Sequence, residues 1–160
     1  MAINLLLALA PLIATVPPQH SSVTSLTGVT TVNVAMDRLG DPGFEEYLGL
    51  KQIRKDVENK LRLAGIKIDH SLTPHLFIDI DCRGKGYIQG RHKEYNCPVE
   101  VQFNQFVRLI RDDMEVFVTT WNQTRHVGGS GYSASEHIRE AVLNIIDMFI
   151  NDYFEVNPKK

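Results

Sequence analysis

The stretch VTTWNQTRHVGGSGYSASEHIREAV, from Val118 to Val142, gathers most of the residue types in this chain that could do chemistry. It holds Trp121, Arg125 and His126, then three glycines around Ser130, and then the start of a helix. A phosphate cradle of the Walker type needs a lysine after its last glycine, because the ammonium must reach the phosphates. Here Gly131 is followed by Tyr132. A nucleophile elbow, G-x-S-x-G, needs glycine two residues past the serine, and Tyr132 stands there too. What is left is a helix N-terminus, whose free N–H groups attract anions. Ser133-Ala134-Ser135-Glu136 reads as a capping box, which would already place a carboxylate at that positive end. The stretch therefore reads as a loop that bends before a helix. Trp121, Arg125, His126 and Ser130 form its candidate surface site, and no catalytic, cofactor-binding or metal-binding set emerges.

Other residues invite the same test. His126 with Asp147 or a nearby serine would resemble a triad, but nothing in the sequence brings them together. The six histidines, at 20, 70, 75, 92, 126 and 137, show no HExxH pair or other metal-ligand spacing. Asp79 and Asp81 lie two apart on one strand face, where paired carboxylates can do acid–base work or simply form the solvated side of the strand. Asn122-Gln123-Thr124 is a glycosylation sequon, meaningful only in a eukaryotic secretory host. Trp121 ends a strand, where a core or rim position is expected.

The elements that must position these residues follow from periodicity. Val32, Val34 and Met36 alternate with Thr31, Asn33 and Ala35, which predicts a half-buried strand broken by Asp41-Pro42-Gly43. Ile53, Val57, Leu61 and Ala64 recur at helical spacing and Gly65 follows, which predicts a helix over about 50–64 and a short strand at Ile66–Ile68. HLFIDIDCR and YNCPVEVQF alternate next, separated by the turn-rich GKGYIQGRHKE. With both apolar faces inward, Ile80 opposes Val99, Ile78 opposes Val101 and Cys82 opposes Cys97; a slip of two residues would keep the faces, so this register is favoured but not unique. Met114–Trp121 completes an antiparallel meander. Ile138, Ala141, Val142, Ile145, Ile146, Phe149 and Tyr153 predict a long helix over about 134–153, packed on a sheet. The expected fold class is α+β: a meander with an added N-terminal strand, packed against two helices.

Length and composition, with 160 residues, 43% hydrophobic and 22% charged, are those of one folded domain. A net charge of -2 with no basic run argues against nucleic acid as a partner. No charged side chain precedes Asp37, and Ile3–Val16 is almost continuously apolar. That run is too short to span a bilayer but matches the core of an export signal. Residues 1–20 thus read as a signal peptide, cut after Ala14 or near His20, or alternatively as a buried first strand or an N-terminal anchor helix. Residues 21–25 read as a linker and 26–160 as a single domain. In an exported chain the two cysteines, Cys82 and Cys97, are candidates for a disulfide across the hairpin.

GVTTVNVAMDRL, LGLKQIRKDVENKLRLAGIKI, TTW before a glycine-rich stretch, and the ending FINDYFEVNPK together resemble a group of small exported bacterial proteins. The resemblance covers most of the chain after residue 26 and brings no catalytic residues with it. In architecture the chain also looks like α+β envelope domains: the amino-terminal domain of the Tol-Pal translocation protein, the curli secretion lipoprotein, and the lipoprotein activators of peptidoglycan synthases. It departs from the lipoproteins in having no cysteine before Cys82. Domains of that architecture mostly bind other proteins. With the uncharged N-terminus, the hairpin cysteines and the lack of a coherent catalytic set, the expectation is a periplasmic or secreted module that binds another envelope protein or itself, with no membrane span after processing and no cofactor. The rival expectations are a small hydrolase using His126 or the Asp79/Asp81 pair, and a carrier of a small apolar ligand.

Overall fold

The computed structural model describes residues 21–36, 48–71, 73–88, 91–130 and 133–159. The expected export signal, the Asp41-Pro42-Gly43 break, and Gly131-Tyr132 lie outside the described residues. The elements run α1 (Ser21–Thr24), β1 (Thr31–Met36), α2 (Leu50–Ala64), β2 (Lys67–Ile68), β3 (His75–Ile80), β4 (Arg83–Ile88), β5 (Arg91–Arg108), β6 (Glu115–Ser130) and α3 (Ala134–Val156). The fold is α+β. β5 is the spine of the sheet, with β6 on one side and both β3 and β4 on the other, all antiparallel to it. β1 joins β3 in parallel, and β2 pairs with β1.

The helices form for the reasons visible in the sequence. Ile53, Val57 and Leu61 of α2 are buried along one stripe. α2 stops at Gly65, whose φ of 93° a side-chain-bearing residue rarely adopts. The Gly65 N–H then donates to Arg62 O and the Ile66 N–H to Leu61 O, the paired bonds of a Schellman end. Every apolar position expected on α3 is buried, from Ile138 to Tyr153. The helices lie on the sheet face that presents Val32, Val34, Leu76, Ile78, Ile80, Val99, Val101 and Phe103. The hairpin register is the favoured one: Ile80 faces Val99 and Ile78 faces Val101. Cys82 and Cys97 are disulfide-bonded.

Four expectations are corrected. The turn-rich stretch 84–94 is largely strand, as β4 pairs with the first part of β5. β3 and β4 are separated at Asp81-Cys82, opposite Pro98, which has no N–H to give the ladder; Asp81 N–H still donates to Pro98 O. The expected linker 21–25 begins with α1, and Ser25 is tied to the sheet through its hydroxyl, which donates to Thr120 O, and its carbonyl, which accepts from Gln105. The meander's last strand does not stop at Trp121 but runs to Ser130, so the stretch read as a loop is mostly β-structure. Its backbone is held by β5 whatever its side chains, and its polar residues hid the strand. Finally, the Ser133 side chain does not cap α3; it is hydrogen-bonded to Tyr95 instead.

Candidate functional site

β6 disperses the four residues expected to form a surface site. Trp121 is buried, with its Nε1–H donating to Asp152 Oδ2 at 2.8 Å and its ring edge-on to Phe149. It belongs to the core, because a sheet-facing strand position opposite Phe103 puts the indole under α3. Arg125 and His126 are both exposed, but they are consecutive strand residues opposite Val99 and Pro98, so they point to opposite faces. The backbone of Ser130 closes β6, and its side chain lies outside the described residues.

A general base of the triad type needs a group that orients its ring. No carboxylate among the described residues is bonded to His126. Asp81 carries an exposed pair with Arg83 at 3.1 Å, and Asp79 stands opposite Glu100 across the β3–β5 ladder. Among the described residues no group of three His, Cys, Asp or Glu side chains is placed to hold a metal. His70 leans on Arg54 and Glu58 at the end of α2, and His75 lies edge-on to Phe117.

A cluster that the spacing concealed lies where β5 meets α3. Tyr95, 5% exposed, places its hydroxyl 2.9 Å from His137 Nδ1. Burial pushes the Tyr95 phenol above its ordinary range, and its bond to Ser133 pulls the other way. A phenol held protonated in this way is a tie between strand and helix rather than a base. Two glycines of β6 lie against Tyr95. A Cβ on Gly128 would come within 3.2 Å of Tyr95 O, and one on Gly129 within 3.5 Å of the Tyr95 ring. Glycine inside a strand signals close backbone approach, and that was the available clue against a loop.

The strongest surface feature is the far end of β5–β6. β3 pairs with β5 only as far as Asn104, whereas β5 and β6 continue pairing to Arg108 and Glu115. This two-stranded arm ends in a turn where Leu109 N–H donates to Met114 O, and Asp113 has φ of 59°. Phe106 is 60% exposed, Ile110 fully exposed, Met114 56% and Phe117 47%. The Phe106 and Phe117 rings pack against each other across the strands, tilted at 55° with centroids 5.2 Å apart, and Phe117 reaches His75 at 6.0 Å. The arm continues the sheet face that the helices leave bare, shared with Phe77, Gln102, Asn104 and Asn122.

Two shallow cavities lie among the described residues. One of about 400 Å³ is lined by Arg83, Lys85, Glu94, Tyr95 and Asn96, and one of about 340 Å³ mainly by threonines, with Pro74 and Gln105. Among the described residues no helix is long and apolar enough to cross a membrane.

No protein-family model matches the chain, and no curated protein matches it in sequence. Solved structures of similar shape include bacterial lipoproteins. A minor lipoprotein from Acinetobacter baumannii is similar over 82% of this chain and 95% of its own, at 7% identity and a TM-score of 0.45. The PelC dodecamer from Paraburkholderia phytofirmans covers 72% of this chain and 87% of its own, at 15% identity and a TM-score of 0.38. Rare lipoprotein B from Shewanella oneidensis covers 79% and 90%, at 19% identity and a TM-score of 0.24. These likenesses are too remote to carry a functional statement.

Proposed function

We propose that this chain is an exported envelope module, periplasmic or secreted, that binds or assembles with protein and performs no chemistry of its own. The observation that carries this reading is the β5–β6 arm. Four of the five large apolar side chains that stand exposed among the described residues, Phe106, Ile110, Met114 and Phe117, are on it, and Leu63 stands apart on α2. An apolar cluster of this kind costs solubility and is kept where a partner covers it. The disulfide between Cys82 and Cys97 supports export, since such bonds persist in oxidising compartments.

The test is site-specific photo-crosslinking in the native cells, with the photoreactive residue at Met114 or, as a control, at Leu63. The expected result is a discrete protein adduct from Met114, absent from Leu63 and lost when Ile110 and Phe106 are changed to serine. No adduct from Met114, or equal adducts from both positions, would defeat the reading.

A further inference from the structure

We infer that a second copy of this chain docks on the outer face of the helix layer, each α2 lying on the other copy's α3. The surface is separate from the β5–β6 arm, and the inference goes beyond the binding reading above.

The outer faces of the two helices carry opposite charges at matched levels. Lys51, Lys55 and Arg62 are exposed on α2, and their i, i+4, i+11 spacing keeps them on one stripe. Glu136, Glu140 and Asp147 are exposed on α3 at the same spacing. Two ion pairs set the relative level of the helices: Asp56 with Arg139, 83 positions on, and Lys60 with Asp147, 87 positions on. Both pairs advance together, so the helices run the same way. Lys51 and Glu136, Lys55 and Glu140, and Arg62 and Asp147 are each 85 positions apart, which puts every cation level with an acid.

The other charges leave this pattern intact. Glu58 is paired with Arg54 and Arg62, and Asp56 with Arg139. Lys51, Lys55, Glu136 and Glu140 enter no ion pair among the described residues. Glu155, the other exposed acid of α3, lies past the level at which α2 stops at Gly65. The outer side of α2 is otherwise Gln52, Asn59 and Leu63, the last 89% exposed and able to supply apolar contact.

The pattern selects the occupant. A surface of one sign, such as an anionic bilayer or a nucleic acid, would meet like charge on α3. A two-fold axis parallel to the helices keeps every residue at its own level and lays α2 on the partner's α3. Each of the three levels is then matched twice, at an interhelical distance of about 8–10 Å that lysine and glutamate side chains can span. The 15 residues of α2 extend about 22 Å, so the two helices together present about 450 Å². That is below the roughly 800 Å² per partner of a stable interface. The dimer is therefore a reversible one, held largely by charge and sensitive to salt.

Sedimentation equilibrium over a concentration series, on the full chain purified from its own cells, tests this. The expected species is a dimer whose association weakens at least about tenfold between about 0.05 M and about 0.5 M salt. Lys51→Glu with Lys55→Glu makes both helices acidic, and Glu136→Lys with Glu140→Lys makes both basic. Each variant alone should associate at least about tenfold more weakly. An equal mixture of the two should associate at least as tightly as the unchanged protein, because every level is again matched. The substituted side chains are exposed, so far-UV circular dichroism should not change, and the salt series needs no variant at all. A monomer at every concentration, a dimer indifferent to salt or to both variants, or a mixture that stays monomeric overturns the inference. A photoreactive residue at Leu63 should join two copies in a product of twice the chain mass. That product is distinct from the Met114 adduct, which reports on the arm, so either reading can fail alone.

Discussion

The Trp121 indole N–H donates to Asp152 Oδ2 at 2.8 Å, which joins the middle of β6 to the last turns of α3. Trp121 is 1% exposed and Asp152 only partly so. The pair therefore combines a buried donor with a charged acceptor, the kind of hydrogen bond worth about 1.5–3 kcal/mol. Trp121→Phe should destabilise by at least that amount, since it also loses ring contact with Phe149. Asp152→Asn keeps an acceptor and should cost clearly less. Urea unfolding midpoints of the two variants check the order.

The disulfide closes a loop between residues 15 apart in sequence. On the chain-entropy model that constraint is worth about 3 kcal/mol. The Cys82→Ala, Cys97→Ala double variant should lose roughly that much stability, measured by denaturant unfolding under non-reducing conditions. In the native protein both thiols should resist alkylation until a reductant is added, which intact mass reads directly.

Gly128 separates the strand reading of this region from the loop reading. In a free loop, valine would be tolerated; in an isolated strand, it would be favoured. Here its Cβ meets Tyr95 O at 3.2 Å. Gly128→Val should therefore destabilise by about 1–3 kcal/mol, the usual cost of overpacking, and thermal unfolding will show whether it does.

The two helices are tied at the surface by Arg139, whose Nε lies 2.6 Å from Asp56 Oδ2. That bond, ahead of the opposing effect of burial, holds the Asp56 carboxyl below its ordinary value. A group whose folded pKa is depressed contributes stability that is present above its unfolded value and lost as pH falls through its folded one. Stability from this pair should thus fade as pH drops below about 4, the ordinary aspartate value. Asp56→Asn should flatten the acid limb of a plot of Tm against pH, while leaving the slope near neutrality unchanged. An unaltered acid limb would show that the pair contributes nothing.

Much of this molecule was legible before any coordinates. The stripe from Ile138 to Tyr153 declared α3 because a helix packed on a sheet must bury one side every 3.6 residues. Gly65 marked the end of α2 because its backbone has to turn left-handed there. The alternation in 76–82 and 97–103 favoured a register, since a one-residue slip would turn every apolar side chain outward. The two cysteines followed from that register.

What tertiary structure alone decided was everything carried by backbone pairing or by contact between distant segments. The 122–130 half of β6 shows no clear apolar alternation, because one side faces the bare sheet surface and the core side offers Val127 alone among polar residues and glycine. Its hydrogen bonds to β5 are main-chain bonds, to which side-chain patterns are blind. Trp121 went under α3, and Arg125 and His126 went to opposite faces, because strand residues alternate. The Tyr95–Ser133–His137 contact and the exposed arm arise from where β5 outruns β3 and where α3 begins. Sequence periodicity reports which faces are buried; which surfaces stay bare depends on the lengths to which strands pair, and the fold settles those.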